Sequence, residues 1–117
     1  MATPIVRKHV EGRYSEVVVH NGTVYLSGQL ADNLDGGIEQ QTRETLESID
    51  QFLSDAGTSK ERLLSVTIYL KDMADYAGMN AIWDAWVVKG ATPARTTVQA
   101  ALYDPKVLVE MTVMAAL

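Results

Sequence analysis

Arg95 and Glu110 are the two side chains whose types and surroundings could carry chemistry. Arg95 is the one charged residue between positions 91 and 102, and Glu110 interrupts a nearly apolar run close to the C-terminus. A guanidinium presents a planar fork of N–H donors that matches a carboxylate bidentately. A partly desolvated carboxylate beside it can act as a general base. The pair admits two accounts, a structural salt bridge or an anion receptor with an acid–base partner. Other candidates carry less. His9 and His20 are too few and too isolated for a metal site, and the absence of cysteine removes thiol nucleophiles, thiolate metal sites and disulfides. Gly36-Gly37 precedes a helical segment but has neither Walker nor GxGxxG spacing, so it reads as a turn.

The elements that must position these groups follow from local pattern. His20-Asn21-Gly22-Thr23 between two β-rich runs predicts a type I′ hairpin. Its pairing would run outward through Val18 with Tyr25, Glu16 with Ser27 and Tyr14 with Gln29. Val17, Val19, Val24, Leu26 and Leu30 then form a core face. After the breaker Asp35-Gly36-Gly37, Ile38, Thr42, Leu46, Ile49, Leu53 and Ala56 repeat at helical spacing, with Gly57 as a stop. The acids Glu44, Glu47, Asp50 and Asp55 read as that helix's solvated face. Residues 63–70 alternate as a strand. Asp72 is a cap for a second helix with the stripe Tyr76, Met79, Asn80, Trp83, Trp86 and Val87, ending by Gly90. Residues 95–101 and 106–115 read as a closing hairpin through Tyr103-Asp104-Pro105, and residues 5–10 as an extra strand.

This order predicts an α/β (α+β) domain spanning residues 1–117, a mixed sheet with both helices packed on one face. In the last strand Val107, Val109, Met111, Val113 and Ala115 would face the helices, and Glu110 would face away. The hairpin turn would bring the Arg95 and Glu110 strands side by side. The uncovered sheet face carries Val18, Tyr25, Tyr69, Leu108 and Met114, too much apolar surface to leave wet, which predicts a closed ring of copies.

Composition bounds the partners. The 117 residues carry 10 basic and 15 acidic side chains, a net charge of −5, and a hydrophobic fraction of 47%. That describes one globular domain. The acidic balance argues against nucleic acid. No run is long and apolar enough for a membrane span and no leader pattern opens the chain, so a cytoplasmic location without a membrane partner is expected.

Tyr14-Ser15, Leu26-Ser27-Gly28-Gln29, Met79-Asn80, Pro93-Ala94-Arg95 and Val109-Glu110, in this order, resemble the Rid family of reactive-intermediate deaminases over nearly the whole chain. The resemblance implies a chorismate-mutase-like fold and a homotrimer with three clefts between subunits. The implied chemistry is hydrolysis of short-chain 2-imino acids, such as 2-iminopropanoate and 2-iminobutanoate, and of their enamine tautomers, to 2-oxo acids and ammonia. Carried over by motif, Arg95 clamps the substrate carboxylate and Glu110 activates water. Tyr14, Ser27 and Gly28 line the cleft, Asn80 supports it, and the backbone carbonyl of Thr97 meets the imine nitrogen. The family chemistry calls for no metal or organic cofactor. The alternative is a non-catalytic trimer that binds small carboxylates such as 2-oxo acids. A ribonuclease role, ascribed to some relatives, is opposed by the acidic balance, the missing basic stripe and the lack of paired histidines.

Overall fold

In the computed structural model, which describes residues 2–117, the hairpin at Asn21-Gly22 forms with both residues left-handed, at φ 50° and 77°. Positive φ at both central positions is what a two-residue type I′ turn demands. It joins β2 (Ser15–His20) to β3 (Thr23–Leu26), with Val17 opposite Leu26 and His20 opposite Thr23. β1 (Val6–Val10) adds to the outer edge of β2. That edge strand is exposed along its whole length, and side chains tie it down. Lys8 donates to the Asp55 carbonyl at 2.7 Å, and His9 pairs with the Asp55 carboxylate at 3.0 Å while stacking edge-on against Phe52.

The long helix α1 (Ile38–Ala56) ends where Gly57 turns left-handed at φ 90°, its N–H and that of Thr58 capping the last carbonyls. β4 (Leu63–Leu70) follows, then a short 3-10 turn held by the Asp72 side chain, then α2 (Tyr76–Trp86). The chain closes with β5 (Ala94–Gln99) and β6 (Val109–Ala116).

One sheet results, in the order β1-β2-β3-β6-β4-β5. β5 pairs with β4 in parallel, and β6 runs antiparallel between β3 and β4. The final two strands are therefore neighbours in sequence but not in the sheet, and the expected closing hairpin does not form. A strand following β4 through a helix returns parallel and takes the outer edge. The only place left where β6 can bury both backbone edges and its apolar face is the gap between β3 and β4. Val109, Met111, Val113 and Ala115 are all buried against the helix layer.

Both helices cover the same face. Leu46, Ile49 and Leu53 of α1 join Met79 and Trp83 of α2 in one core with Val17, Val66, Ile68 and Leu70. Each large aliphatic side chain buried this way contributes about 1.5–3 kcal/mol. Gln41 is also fully buried. Its amide donates to the carbonyls of Leu34, Gly36 and Lys106 and accepts from the N–H of Leu108, which locks the loop before α1 to the loop before β6. The acidic side of α1 proves to be pinned rather than merely solvated. Glu44 accepts from the Asn33 N–H, Asp50 from the Trp86 indole, and Asp55 from β1. Tyr25 and Met114 lie exposed on the opposite, uncovered sheet face.

Candidate functional site

Arg95 enters β5 directly opposite Val66, a core residue, so its side chain points into the helix layer. There α2 has prepared a socket. Tyr76, Asn80 and Trp83 recur at four- and three-residue steps and share one face of that helix. Nη1 of Arg95 donates to the Asn80 side-chain oxygen at 2.7 Å, and Nη2 donates to the Tyr76 hydroxyl at 3.1 Å. The guanidinium carbon lies 5.3 Å from the Trp83 ring centre and 5.8 Å from that of Tyr76. These are attractive cation–π distances, each contributing about 0.5–2 kcal/mol according to how dry the contact is. Every one of these partners is neutral, and among the described residues neither ion pair involves Arg95. The salt-bridge account of Arg95 with Glu110 therefore fails within a single protomer. Two residues along the same face, the Thr97 hydroxyl is buried and has no hydrogen-bond partner.

Glu110 stands on the other side of the sheet. It pairs with Tyr69, whose neighbours Ile68 and Leu70 face the core, so Glu110 points to the uncovered face. With β4 between β5 and β6, the expected side-by-side placement of the Arg95 and Glu110 strands is replaced by opposite faces of one sheet. The Glu110 carboxylate has no hydrogen-bond partner among the described residues, and partial burial pushes its pKa above the ordinary glutamate value.

What the carboxylate leans over is the backbone of Gly28. A Cβ built there would land on the carboxylate itself, so any larger residue would force the Glu110 side chain aside. The approach arises from a bulge. Tyr25 pairs with Met114, yet Gln29 pairs with Met111, so one extra residue is inserted on the β3 side around Ser27-Gly28. The insertion also reverses the face of Gln29, which alternation placed opposite Tyr14 on the uncovered side. Gln29 is buried instead, accepting from Ser48 of α1 at 2.6 Å and donating to Glu16 at 3.1 Å. Ser27 is fixed by its own hydroxyl, which donates to the Ser15 carbonyl at 2.6 Å. Beside the bulge opens a groove of about 630 Å³, lined by Tyr14, Ser27, Gly28 and Gln29, by Ser48 and Phe52 of α1, and by Tyr103.

The residues singled out from sequence thus fall into two groups. Asn80, Arg95 and Thr97 lie on the helix face beside α2; Tyr14, Ser27 and Gly28 line the groove at the bulge, and Glu110 leans over Gly28 from the uncovered face. Tyr76 and Trp83 were visible only as members of an apolar stripe, and the asparagine at the same spacing reads equally as a partner for backbone. Gln29 and the bulge had no signal beyond Gly28 in a strand pattern. Among the described residues no group of three His, Cys, Asp or Glu side chains is close enough to hold a metal ion, and no helix is long and apolar enough to cross a membrane.

Comparison with known proteins gives a consistent set of relatives. Residues 5–117 match the family model described as "Endoribonuclease L-PSP". The chain is 48% identical to the RutC family protein YoaB of Escherichia coli over 112 residues, 96% of this chain and 97% of that one. It superposes on the crystal structure of NMB1025, a YjgF family member from Neisseria meningitidis, with a TM-score of 0.94 at 43% identity, covering 97% of this chain and 94% of that one. YyfA of Yersinia pestis, described as a protein of unknown function of the conserved Rid family, superposes at 0.86 with 32% identity, covering 99% and 100%.

Proposed function

The chain belongs to the endoribonuclease L-PSP family, the family of the YjgF and Rid proteins, and from that premise we propose that it is an imine deaminase acting at clefts between subunits of a homotrimer. The observation that carries this reading is the unmatched pair: a guanidinium held only by neutral groups, and a desolvated carboxylate held by none, on opposite sheet faces. One protomer cannot join them around a small molecule. A ring in which the helix-side edge of one copy meets the bulge of the next can. The exposed Tyr25 and Met114 on the uncovered face are consistent with burial in such a ring.

The chemistry then follows from what each half offers. Two of the five guanidinium N–H groups are committed to Asn80 and Tyr76, and the rest remain for a carboxylate. Two charge-assisted hydrogen bonds of roughly 1.5–3 kcal/mol each would select 2-imino acids over uncharged imines. Glu110, its basicity raised by burial, takes a proton from water as the water oxygen bonds to C2. The substrate reacts as its iminium, so the π electrons of the C=N bond move to a nitrogen that already carries its proton, giving a neutral 2-amino-2-hydroxy acid. That adduct collapses when its hydroxyl proton passes to solvent water and the C–N bond breaks. Glu110 returns its proton to the departing nitrogen, and the products are a 2-oxo acid and ammonia. Imines hydrolyse unaided, so a barrier reduction of a few kcal/mol suffices, each ~1.4 kcal/mol being tenfold. Holding water and substrate in line supplies an effect of that size. The net charge of −5 and the lack of a basic stripe weigh against the nuclease sense of the family description.

The test is to generate 2-iminopropanoate or 2-iminobutanoate in situ and follow loss of the imine at micromolar protein. Acceleration that disappears in Arg95→Ala, and largely in Arg95→Lys, is the expected outcome, since a point charge does not replace the fork. No acceleration by the wild type would exclude the reading.

A further inference from the structure

A second groove opens on the helix layer, between α1 and α2, and none of the residues placed around Arg95 or Glu110 lines it. It holds about 370 Å³, at the small end of the range of ligand sites. Leu46 of α1 with Ile82 and Trp86 of α2 form an apolar floor, and Arg43, Glu47 and Lys60 form a charged rim. Trp86 is fixed from three directions. Its indole donates to Asp50 at 2.9 Å, its carbonyl accepts from Lys60 at 2.7 Å, and the Lys60 ammonium sits 5.1 Å from its ring centre. Arg43 and Glu47, by contrast, enter no side-chain hydrogen bond or ion pair among the described residues. They stand one helical turn apart on α1, a spacing at which opposite charges can meet, but the cation lies nearer the N-terminus, which is the weaker orientation. Of the acids Glu44, Glu47, Asp50 and Asp55, Glu47 is the one left without a partner.

We propose that this groove binds a free α-amino acid with an apolar side chain. Two opposite charges held apart over an apolar floor are complementary to a zwitterion. The Arg43 fork takes the carboxylate bidentately with Lys60 beside it, Glu47 takes the ammonium, and Leu46, Ile82 and Trp86 receive the side chain. A simple carboxylate would meet like charge at Glu47, and a simple amine would meet it at Arg43 and Lys60. Binding here requires neither turnover nor Arg95, so it is independent of the deaminase proposal.

The experiment titrates the ¹⁵N-labelled protein with L-leucine and follows the indole N–H signal of Trp86, assigned by its loss in Trp86→Phe. A saturable shift with a Kd of about 0.1–10 mM is expected. Leucinamide, which lacks the carboxylate, and 4-methylpentanoate, which lacks the ammonium, should each bind roughly three- to tenfold more weakly. Arg43→Ala should weaken leucine by a similar factor. Glu47→Gln should weaken leucine yet strengthen 4-methylpentanoate, a reversal that a general disturbance of the helix would not produce. Both positions are exposed, so folding is expected to survive. Because the Trp86 ring lies 5.5 Å from that of Trp83, which also flanks Arg95, Arg95→Ala is the control, and the leucine shift should persist in it. No saturable shift, a shift lost in Arg95→Ala, or equal affinity for the three compounds would overturn the amino-acid site.

Discussion

Arg95 occupies a finished socket, whereas Glu110 stands over a surface that the protomer leaves incomplete. On the helix side, Tyr76, Asn80 and Trp83 fix the guanidinium by two hydrogen bonds and two ring faces before any ligand arrives. On the uncovered side, the carboxylate has backbone beneath it, no partner, and a pKa raised by burial. A long, flexible cation is immobilised at little cost when neutral groups do the holding, because its charge stays available. A carboxylate kept as a base must instead remain unpaired, since a paired one would lose its basicity. The two groups are thus held in opposite ways, and the sheet keeps them apart within one protomer.

Mixing inactive variants breaks or sharpens this contrast most strongly. Arg95→Ala and Glu110→Gln should each lose turnover almost entirely. Refolded together in equal amounts, they should recover about one quarter of wild-type activity, because a cleft drawing each group from a different copy is intact in that fraction of random pairings. If both groups served one protomer's own site, no activity would return. The next effect in size is steric. Gly28→Ala places a methyl where the Glu110 carboxylate lies, and the flexible side chain has to swing away. We expect kcat to fall roughly 10- to 100-fold, by analogy with small displacements of a reacting group. The melting temperature should change much less, and steady-state kinetics beside a thermal melt separate the two. An unchanged kcat would show that the position of the carboxylate over the bulge is unimportant.

The sequence carried the local pieces of this design well and their assembly less well. Asn21-Gly22, Gly57 and the alternation of residues 63–70 predicted a turn, a helix end and a strand that the structure contains, because each depends on neighbours a few residues away. The facing of Glu110 followed from the same alternation. What failed was the order of strands. A short connection through Pro105 suggests a hairpin, but the parallel pairing of β5 with β4 already occupies that edge, and β6 goes to the buried gap. That outcome depends on a competition among distant edges, which no local spacing records. Gln29 was misplaced for a related reason, since alternation carried through a strand assumes no bulge and one inserted residue reverses everything beyond it. The Arg95 socket was not legible from local pattern: Asn80 on an otherwise apolar stripe reads equally as a partner for backbone, and the aromatic rings beside it read as ordinary core.

The smallest expected effect concerns stability, and it tests whether the base side is held at an energetic disadvantage. Because burial raises the pKa of folded Glu110, the folded state favours the protonated carboxyl. Its stabilising contribution is complete below the ordinary glutamate range and is lost as pH rises through the elevated folded value. Near neutral pH the ionised group therefore subtracts from stability. Glu110→Gln keeps the shape without the charge, so it should raise the melting temperature by about 1–4 °C at pH 7, with the gain fading as the pH is lowered towards the ordinary glutamate range. Melts at several pH values check the sign. A variant less stable than wild type at neutral pH would mean that Glu110 has a favourable partner in the assembled protein. Activity in the wild type should fall along the same axis, since the base works only when ionised. Its acid limb should then sit above that of an ordinary glutamate. Agreement between that limb and the pH at which the stability difference closes would assign both to one carboxylate, the group that the protomer leaves without a partner.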